Sequence, residues 1–172
     1  MIKALILATF CLPFALTSAL AGLQDFDIST TREKLSQDRG RDSGNMTVTS
    51  REIRYRIDVK SRSFKPLSNV EVKYNIVYQD QQEGSKDDGL LQSHKGSQKF
   101  DKVDPNGSLV VSTEPFQLTT HQLDGNWVWA NGASNKASDR VVGIWTRIYV
   151  DGQLKQEYCN PSTLSKKVDW KD

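Results

Sequence analysis

The strongest constraint on the fold is a pair of alternating segments in the middle of the chain. Over residues 53–60, apolar side chains alternate with charged ones: Ile53, Tyr55, Ile57 and Val59 against Arg54, Arg56, Asp58 and Lys60. Residues 70–78 alternate in the same way, with Val, Val, Tyr, Ile and Tyr at every second position. A period of two places each set on one face of an extended strand. Both segments are therefore predicted to be strands with one buried face.

The rest of the chain adds shorter strands and little helical periodicity. Strands are predicted near Phe26, at 92–102, around Pro115 and in a closing hairpin that begins at Val142. Polar stretches at 32–45, 79–89 and 119–139 are predicted to be connections, and the turn at 64–69 is predicted to carry one or two buried anchors. Frequent turns between short strands indicate an all-β, antiparallel β-sandwich. We expect about seven strands in a single domain, residues 22–172.

Two segments resemble a known architecture. "YRIDVKSRSFKPLSNVEVKYNIVY" (55–78) is similar to the B–C strand pair of bacterial exported Ig-like and fibronectin-III-like domains. "VVGIWTRIYVDGQL" (141–154) resembles the final F–G hairpin of these domains. The resemblance implies an Ig-like or fibronectin-III-like β-sandwich, and it implies no particular ligand.

The first 21 residues have the organisation of a secretory signal peptide. Lys3 is followed by an apolar run up to Leu16, and Ala19-Leu20-Ala21 matches the cleavage pattern. This run is shorter than the roughly 20 residues that a membrane span needs, and no second apolar run follows. We expect export through Sec to the periplasm or the cell surface of a bacterium, with no membrane span.

Charge and cysteine content limit the partners. The formal net charge is +2, close to neutral, which gives no basis for expecting nucleic acid as a partner. Of the two cysteines, Cys11 lies in the predicted signal peptide, so only Cys159 would remain after processing. An unpaired cysteine in an oxidising compartment suggests an intermolecular disulfide. The expected state is a monomer or a Cys159-linked dimer.

The closing hairpin determines where Cys159 points. A two-residue turn at Asp151-Gly152 would place Gln153 and Lys155 on the aliphatic face. A three-residue loop, 150–152, instead pairs Ile148 with Leu154 and keeps polar side chains off that face. We therefore expect the three-residue loop, with Cys159 facing outward on the same side as Trp145, Arg147 and Tyr149.

Catalytic patterns are missing from the sequence. There is no G-x-S-x-G, no H-E-x-x-H and no phosphate-binding loop, and no spacing connects His94 or His121 with Cys159. The acidic loop at 80–88 lacks the alternating oxygen ligands of a calcium loop. We predict no catalytic residue, no metal and no cofactor. A thiol-dependent or hydrolytic enzyme is the less favoured alternative.

A basic stripe runs along one face of the first alternating strand: Arg54, Arg56, Lys60 and Arg62. It could contact an anionic polymer of the cell envelope or an acidic partner. The favoured interpretation is a solvated sheet face whose cations pair with acidic residues on neighbouring strands.

Aromatic residues give the best indication of binding. Trp127 and Trp129 would face one side of an extended loop, and Trp145 and Tyr149 flank Arg147 on the outward face of the hairpin. Aromatic side chains with polar neighbours bind sugars and peptides. The alternative is that Trp127 and Trp129 cap the core. Trp170 is expected to pin the C-terminal tail.

These observations favour an exported, non-enzymatic binding or structural module of the bacterial cell envelope that contacts protein or glycan. The alternative is a carbohydrate-binding module that uses the loop tryptophans. Both hypotheses use the same candidate ligand-binding residues: Trp127, Trp129, Trp145, Arg147 and Tyr149.

Overall fold

The structure is a computed structural model that describes residues 25–42 and 44–171. The predicted signal peptide, residues 1–21, lies outside the described residues. The strands are β1 (Phe26–Asp42), β2 (Met46–Ser61), β3 (Leu67–Asp80), β4 (Leu90–Val103), β5 (Ser108–Ser112), β6 (Phe116–Leu123), β7 (Lys136–Ser138), β8 (Arg140–Val150) and β9 (Gln153–Asn160). One 3₁₀ turn, Leu164–Lys166, follows. No helix in these ranges has the length and apolarity needed to cross a membrane.

The strands form two antiparallel sheets. The first has the order β1-β2-β6-β7, with β5 also paired to β2, and the second has the order β4-β3-β8-β9. The chain crosses from one sheet to the other between β2 and β3, and the β8–β9 hairpin lies beside β3, as strands B, C, F and G do in Ig-like sandwiches. The predicted all-β, Ig-like sandwich is confirmed.

The number of strands differs from the expected seven. Residues 25–42 and 44–171 form nine strands, because the segment around Pro115 forms two strands and because β7 adds a short edge. Both β5 and β6 pair with β2, β5 along residues 56–60 and β6 along residues 46–53. Pro115 has no N–H to donate to a ladder, which is consistent with a break at this point.

The core between the sheets is built from the two alternating segments. Ile57, Val59, Val70, Val72 and Ile76 are all essentially inaccessible, and Ile144 and Ile148 of β8 complete the packing. The predicted inward faces of both strands are therefore confirmed. The period of two is sufficient to determine them because each strand has only two faces.

The polar stretch at 32–45 is not a connection, which corrects the sequence-based prediction. Residues 32–42 continue β1 and pair with β2 down to Asp42–Met46, with a bulge between Lys34 and Ser36. This part of β1 is almost entirely solvent-exposed, so its side chains show no alternation. The backbone ladder and ion pairs such as Glu33–Arg54 stabilise this strand, and a hydrophobicity pattern does not reveal them.

The outer face of the β4-β3-β8-β9 sheet carries a second apolar cluster. The segment 161–171, here called the C-terminal strap, crosses this face and buries Leu164 against Val77 and Trp145. Val168 and Trp170 of the strap pack on the same cluster. This packing explains why Val77 is buried although it lies opposite the inward face of β3.

The predicted three-residue loop of the closing hairpin is wrong. Asp151 and Gly152 form a two-residue turn with positive φ at both residues, and Val150 pairs with Gln153. A bulge then leaves Lys155 unpaired, so that Ile148 faces Gln156 and Trp145 faces Cys159. Because of this bulge at Lys155, Cys159 lies on the same side of the sheet as Trp145, as predicted, although the turn itself has two residues.

Candidate functional site

The predicted aromatic platform on the hairpin is not an open surface. Trp145 is only 6 % exposed because the C-terminal strap covers it. The ring of Trp170 packs edge-on against it, with the ring centroids 5.5 Å apart. The expectation that Trp145 is accessible is therefore wrong. The prediction that Trp145 and Arg147 lie on the same outer face of the sheet is correct. Trp170 pins the tail as expected.

Arg147 is held by the same cluster. Its guanidinium carbon lies 4.5 Å from the ring centroid of Trp170 and 5.3 Å from that of Trp145. It also forms an ion pair with Glu157 on β9. Tyr149, two residues along, has the ammonium group of Lys73 5.1 Å from its ring centroid. Both predicted ligand-binding residues already have internal partners, so a ligand would compete with the strap at Arg147 and with Lys73 at Tyr149.

Cys159 lies opposite Trp145 and is half-buried at the edge of the second cluster. Burial, together with the nearby Glu157 carboxylate, raises the pKa of its thiol, while hydrogen bonds from Ser165 act in the opposite direction. A thiol with a raised pKa is a weak nucleophile at neutral pH. Its proposed role in an intermolecular disulfide stays a prediction.

The two loop tryptophans have different environments. Trp127 is 59 % exposed and Val128 72 % exposed at the tip of the loop 124–135. Trp129 instead packs its indole against Gly84 and lines a small space with His121 and Ala137. One ring is therefore available to a partner, and the other fills the junction between two loops.

The basic stripe is largely neutralised by neighbouring carboxylates. Arg54 Nε donates to Glu33 across the β1–β2 ladder at 2.7 Å, and Arg56 bonds Asp58 at 2.9 Å. Arg62 Nε donates to Asp27 at 3.0 Å. This geometry matches the favoured interpretation of a solvated, ion-paired sheet face.

A feature that the sequence did not suggest lies at one end of the sandwich. A groove of about 720 Å³ opens between the start of β1, the β2–β3 connection and the tip of the β8–β9 hairpin. We call it the end groove. Its apolar lining comes from Phe26, Leu67, Val150 and Phe64. Phe64 is 87 % exposed, whereas Leu67 of the same turn packs against the core as a partly buried anchor.

The walls of the end groove are held in place by hydrogen bonds. Gln156 of β9 accepts from the Phe26 N–H and donates to the Phe26 carbonyl, both at 2.8 Å, which joins the two sheets beside the groove. Asn106 N–H donates to the Ser63 carbonyl and ties the β4–β5 turn to the β2–β3 connection. The groove is therefore preformed between connected elements.

Charged side chains surround the apolar lining. Arg62 is paired with Asp27, whereas neither Lys60 nor Lys155 has an ion pair within the described part of the chain. Asp25 is the remaining carboxylate in the lining. The groove thus offers two unpaired ammonium groups against one carboxylate. The sequence signal that could have indicated this site is Phe64 in a polar turn, where a large apolar residue has no core to enter.

A cluster of metal ligands is not evident in the described ranges. No group of three or more His, Cys, Asp or Glu side chains is positioned to hold a metal ion there. His121 forms an ion pair with Glu83, and His94 stacks on Phe116 and contacts the Glu114 carbonyl. Neither histidine lies at Cys159.

Comparisons with known proteins give no functional assignment. No family model matches the chain, and no curated protein matches it. A structural-genomics target designated SoR45 is 7 % identical, covering 78 % of this chain and 85 % of its own, with a TM-score of 0.40. A crystal structure from Akkermansia muciniphila is 12 % identical, with 88 % and 80 % coverage and a TM-score of 0.31. The putative ApaA protein from Bordetella pertussis is 7 % identical, with 80 % and 95 % coverage and a TM-score of 0.32. The fold assignment therefore rests on the strand order and pairing described above.

Proposed function

We propose that this chain is an exported, non-enzymatic binding module of the bacterial cell envelope, and that it holds a segment of a partner protein in the end groove. The observation that carries the proposal is Phe64, a phenyl ring 87 % exposed beside a preformed apolar groove. Exposed aromatic side chains next to apolar clefts are typical of the energetic centres of protein interfaces.

The charge of the groove suggests which segment it accepts. Lys60 and Lys155 form no ion pair among the described residues, and Lys60 faces an Asp27 carboxylate that Arg62 already holds, so a carboxylate on the partner would complement them. The apolar lining from Phe26, Leu67 and Val150 suits one large apolar side chain. The proposed ligand is therefore a segment with an aromatic or aliphatic anchor flanked by Asp or Glu.

Fluorescence polarisation with labelled synthetic peptides tests this proposal. One peptide set places Phe or Leu between acidic residues, and a matched set replaces each acid with Lys. We expect binding by the acidic set, and we expect Phe64→Ala and Lys60→Glu each to weaken it at least about tenfold, the loss of roughly 1.4 kcal/mol.

Two exposed positions outside the groove supply matched controls. Val128→Ala removes an equally exposed apolar side chain, and Lys65→Glu reverses a charge next to Phe64 that does not line the groove. Both should leave the affinity within about twofold, as expected for surface changes away from a contact. Absence of binding by every peptide, or unchanged binding by Phe64→Ala, would refute the proposal.

A second candidate function is glycan binding through Trp127. The exposure of this ring, next to the exposed Val128, favours it. A glycan array with Trp127→Ala and Trp129→Ala separates the two functions. Binding that survives Trp127→Ala would rule out the glycan role for this loop.

A further inference from the structure

Two loops that pack on each other form the end of the sandwich opposite the end groove. They are residues 81–89, between β3 and β4, and residues 124–135, between β6 and β7. We call them the paired loops. The side-chain amide of Asn131 donates to the Gly84 carbonyl at 2.8 Å, and the indole of Trp129 packs on the same glycine. The paired loops therefore form one connected surface.

Strand β2 connects this surface with the end groove. Met46 at the start of β2 pairs with Leu123, directly before the second loop, and Ser61 at the end of β2 lines the end groove. The 16 residues of β2, at about 3.3 Å each, extend over roughly 50 Å. The paired loops and the end groove of one molecule are therefore too far apart to contact each other.

The paired loops expose apolar side chains. Trp127 is 59 % exposed and Val128 is 72 % exposed at the tip of the second loop, and Leu90, which directly follows the first loop, is 61 % exposed. Exposed apolar groups that lie together mark surfaces that contact a partner. The paired loops thus offer both an aromatic and an aliphatic anchor.

The two ends of the molecule also differ in charge. Asp87 and Asp88 of the first loop are exposed and form no ion pair within the described part of the chain, and Lys86 is the single cation of that loop. At the opposite end, Lys60 and Lys155 line the end groove. The excess of carboxylates at one end complements the excess of ammonium groups at the other.

We propose that the partner of the end groove is a second copy of this chain, whose paired loops enter the groove. This inference rests on the proposed function and names its partner: Trp127 or Val128 supplies the apolar anchor, and the two aspartates face the groove lysines. Each copy carries one surface of each kind, at opposite ends. The contact is therefore heterologous and repeats head to tail into open chains.

The charges disfavour a two-fold dimer through either surface alone. Two end grooves placed face to face would bring their lysines together, and two sets of paired loops would bring their aspartates together. A loop tip in a groove also buries less area than a standard protein interface, so each head-to-tail contact should be weak and reversible.

Sedimentation equilibrium of the purified protein measures this assembly. The weight-average mass should rise at least about twofold between about 10 µM and about 1 mM protein, because head-to-tail association follows mass action. Phe64→Ala in the groove and Trp127→Ala in the paired loops should each lower the association constant at least about tenfold. Val110→Ala, an exposed valine of β5 outside both surfaces, should leave it within about twofold.

Mixtures of defective variants test the direction of the contact. Phe64→Ala keeps its paired loops and Trp127→Ala keeps its groove, so the mixture should form dimers of one copy of each and grow no further. Charge reversal gives a different pattern. Proteins carrying Asp87→Lys with Asp88→Lys, or Lys60→Glu with Lys155→Glu, should each stay monomeric alone, whereas their mixture should grow beyond dimers because both kinds of contact are then complementary.

The acidic peptides described above separate this inference from the function of the groove. A peptide that occupies the groove should dissociate the assembly, because it competes with the paired loops. If the peptides bind but the unaltered protein stays monomeric up to about 1 mM, the groove serves a different protein and the self-association proposal is overturned. Assembly that persists equally in Phe64→Ala and Trp127→Ala would overturn it as well.

Discussion

Trp170 of the C-terminal strap packs its indole edge-on against Trp145 of β8, with the ring centroids 5.5 Å apart and the rings inclined at 74°. This contact converts the outer face of a sheet into a second buried cluster. It buries Trp145 and covers part of the Arg147 guanidinium. The strap therefore determines which of the predicted binding residues a partner can reach.

The first prediction concerns the stability of this contact. Trp170→Ala should lower the free energy of unfolding by about 1–3 kcal/mol, less than a full core tryptophan because the ring is only half-buried. Trp127→Ala, an exposed tryptophan on a loop, should change it by less than about 0.5 kcal/mol. Urea unfolding followed by circular dichroism measures both. Equal stabilities for the two variants would mean that the strap does not pack on Trp145.

The second prediction concerns Cys159. Because burial and Glu157 raise the pKa of this thiol, a disulfide reagent should modify the native protein slowly at neutral pH and faster as the pH rises above 9. In Trp170→Ala the rate at neutral pH should increase severalfold, because the strap then protects the thiol less. Rates from a chromogenic thiol assay provide the comparison. Rapid modification of the unaltered protein at neutral pH would show that Cys159 is already open to solvent.

The alternation of apolar and polar residues was enough to predict the main core and the sandwich. Each strand has two faces, and its apolar side chains must lie on the inner one. It could not predict the second cluster, because Val77 and Trp145 occupy positions that read as solvent-facing until the strap is placed over them. The hairpin shows a related limit. The side of the sheet on which Cys159 lies was predicted correctly. However, a bulge at Lys155 and a three-residue loop give the same pattern of apolar and polar positions, so hydrophobicity does not distinguish them.

The candidate sites depend even more on long-range contacts. The turn at 64–69 was predicted to carry one or two buried anchors, and only the structure shows that Leu67 packs against the core while the Phe64 ring stays 87 % exposed.

The third prediction concerns the close packing of the Tyr74 ring against Gly96. A Cβ atom at Gly96 would lie 2.2 Å from the Tyr74 hydroxyl oxygen and 2.4 Å from Cζ, and this hydroxyl also accepts the Glu114 N–H. Gly96→Ala should therefore destabilise the fold by about 1–3 kcal/mol through overpacking. Gly40→Ala on β1, where nothing lies within 4 Å, should change stability by less than about 0.5 kcal/mol. Chemical denaturation of the two variants is the test, and similar values for both would contradict the close approach.

The fourth prediction concerns Arg147 between two indoles. A double-mutant cycle that combines Arg147→Met with Trp170→Ala should give a favourable coupling of about 0.5–2 kcal/mol, the usual range for a partly desolvated cation over an aromatic ring. The same cycle with Trp127, which is remote in the fold, serves as the control and should give additive changes. A coupling near zero for the Arg147–Trp170 pair would show that Trp170 does not stabilise Arg147, which would leave Trp145 and Glu157 as its partners.

The last prediction concerns alkaline pH. Burial raises the pKa of both Tyr55 and Tyr74 above the ordinary tyrosine value of 10.0. The folded protein therefore retains these protons more strongly than the unfolded chain, so their contribution to stability is complete below pH 10 and is lost as the pH rises through the folded-state pKa. Above pH 10 the urea midpoint should fall more steeply than in Tyr55→Phe, which lacks one of these titrating groups. Ultraviolet titration of the native protein should show that Tyr55 and Tyr74 ionise above the ordinary tyrosine value. If the urea midpoint declines equally in the unaltered protein and in Tyr55→Phe, the pKa of Tyr55 is the same in the folded and the unfolded state.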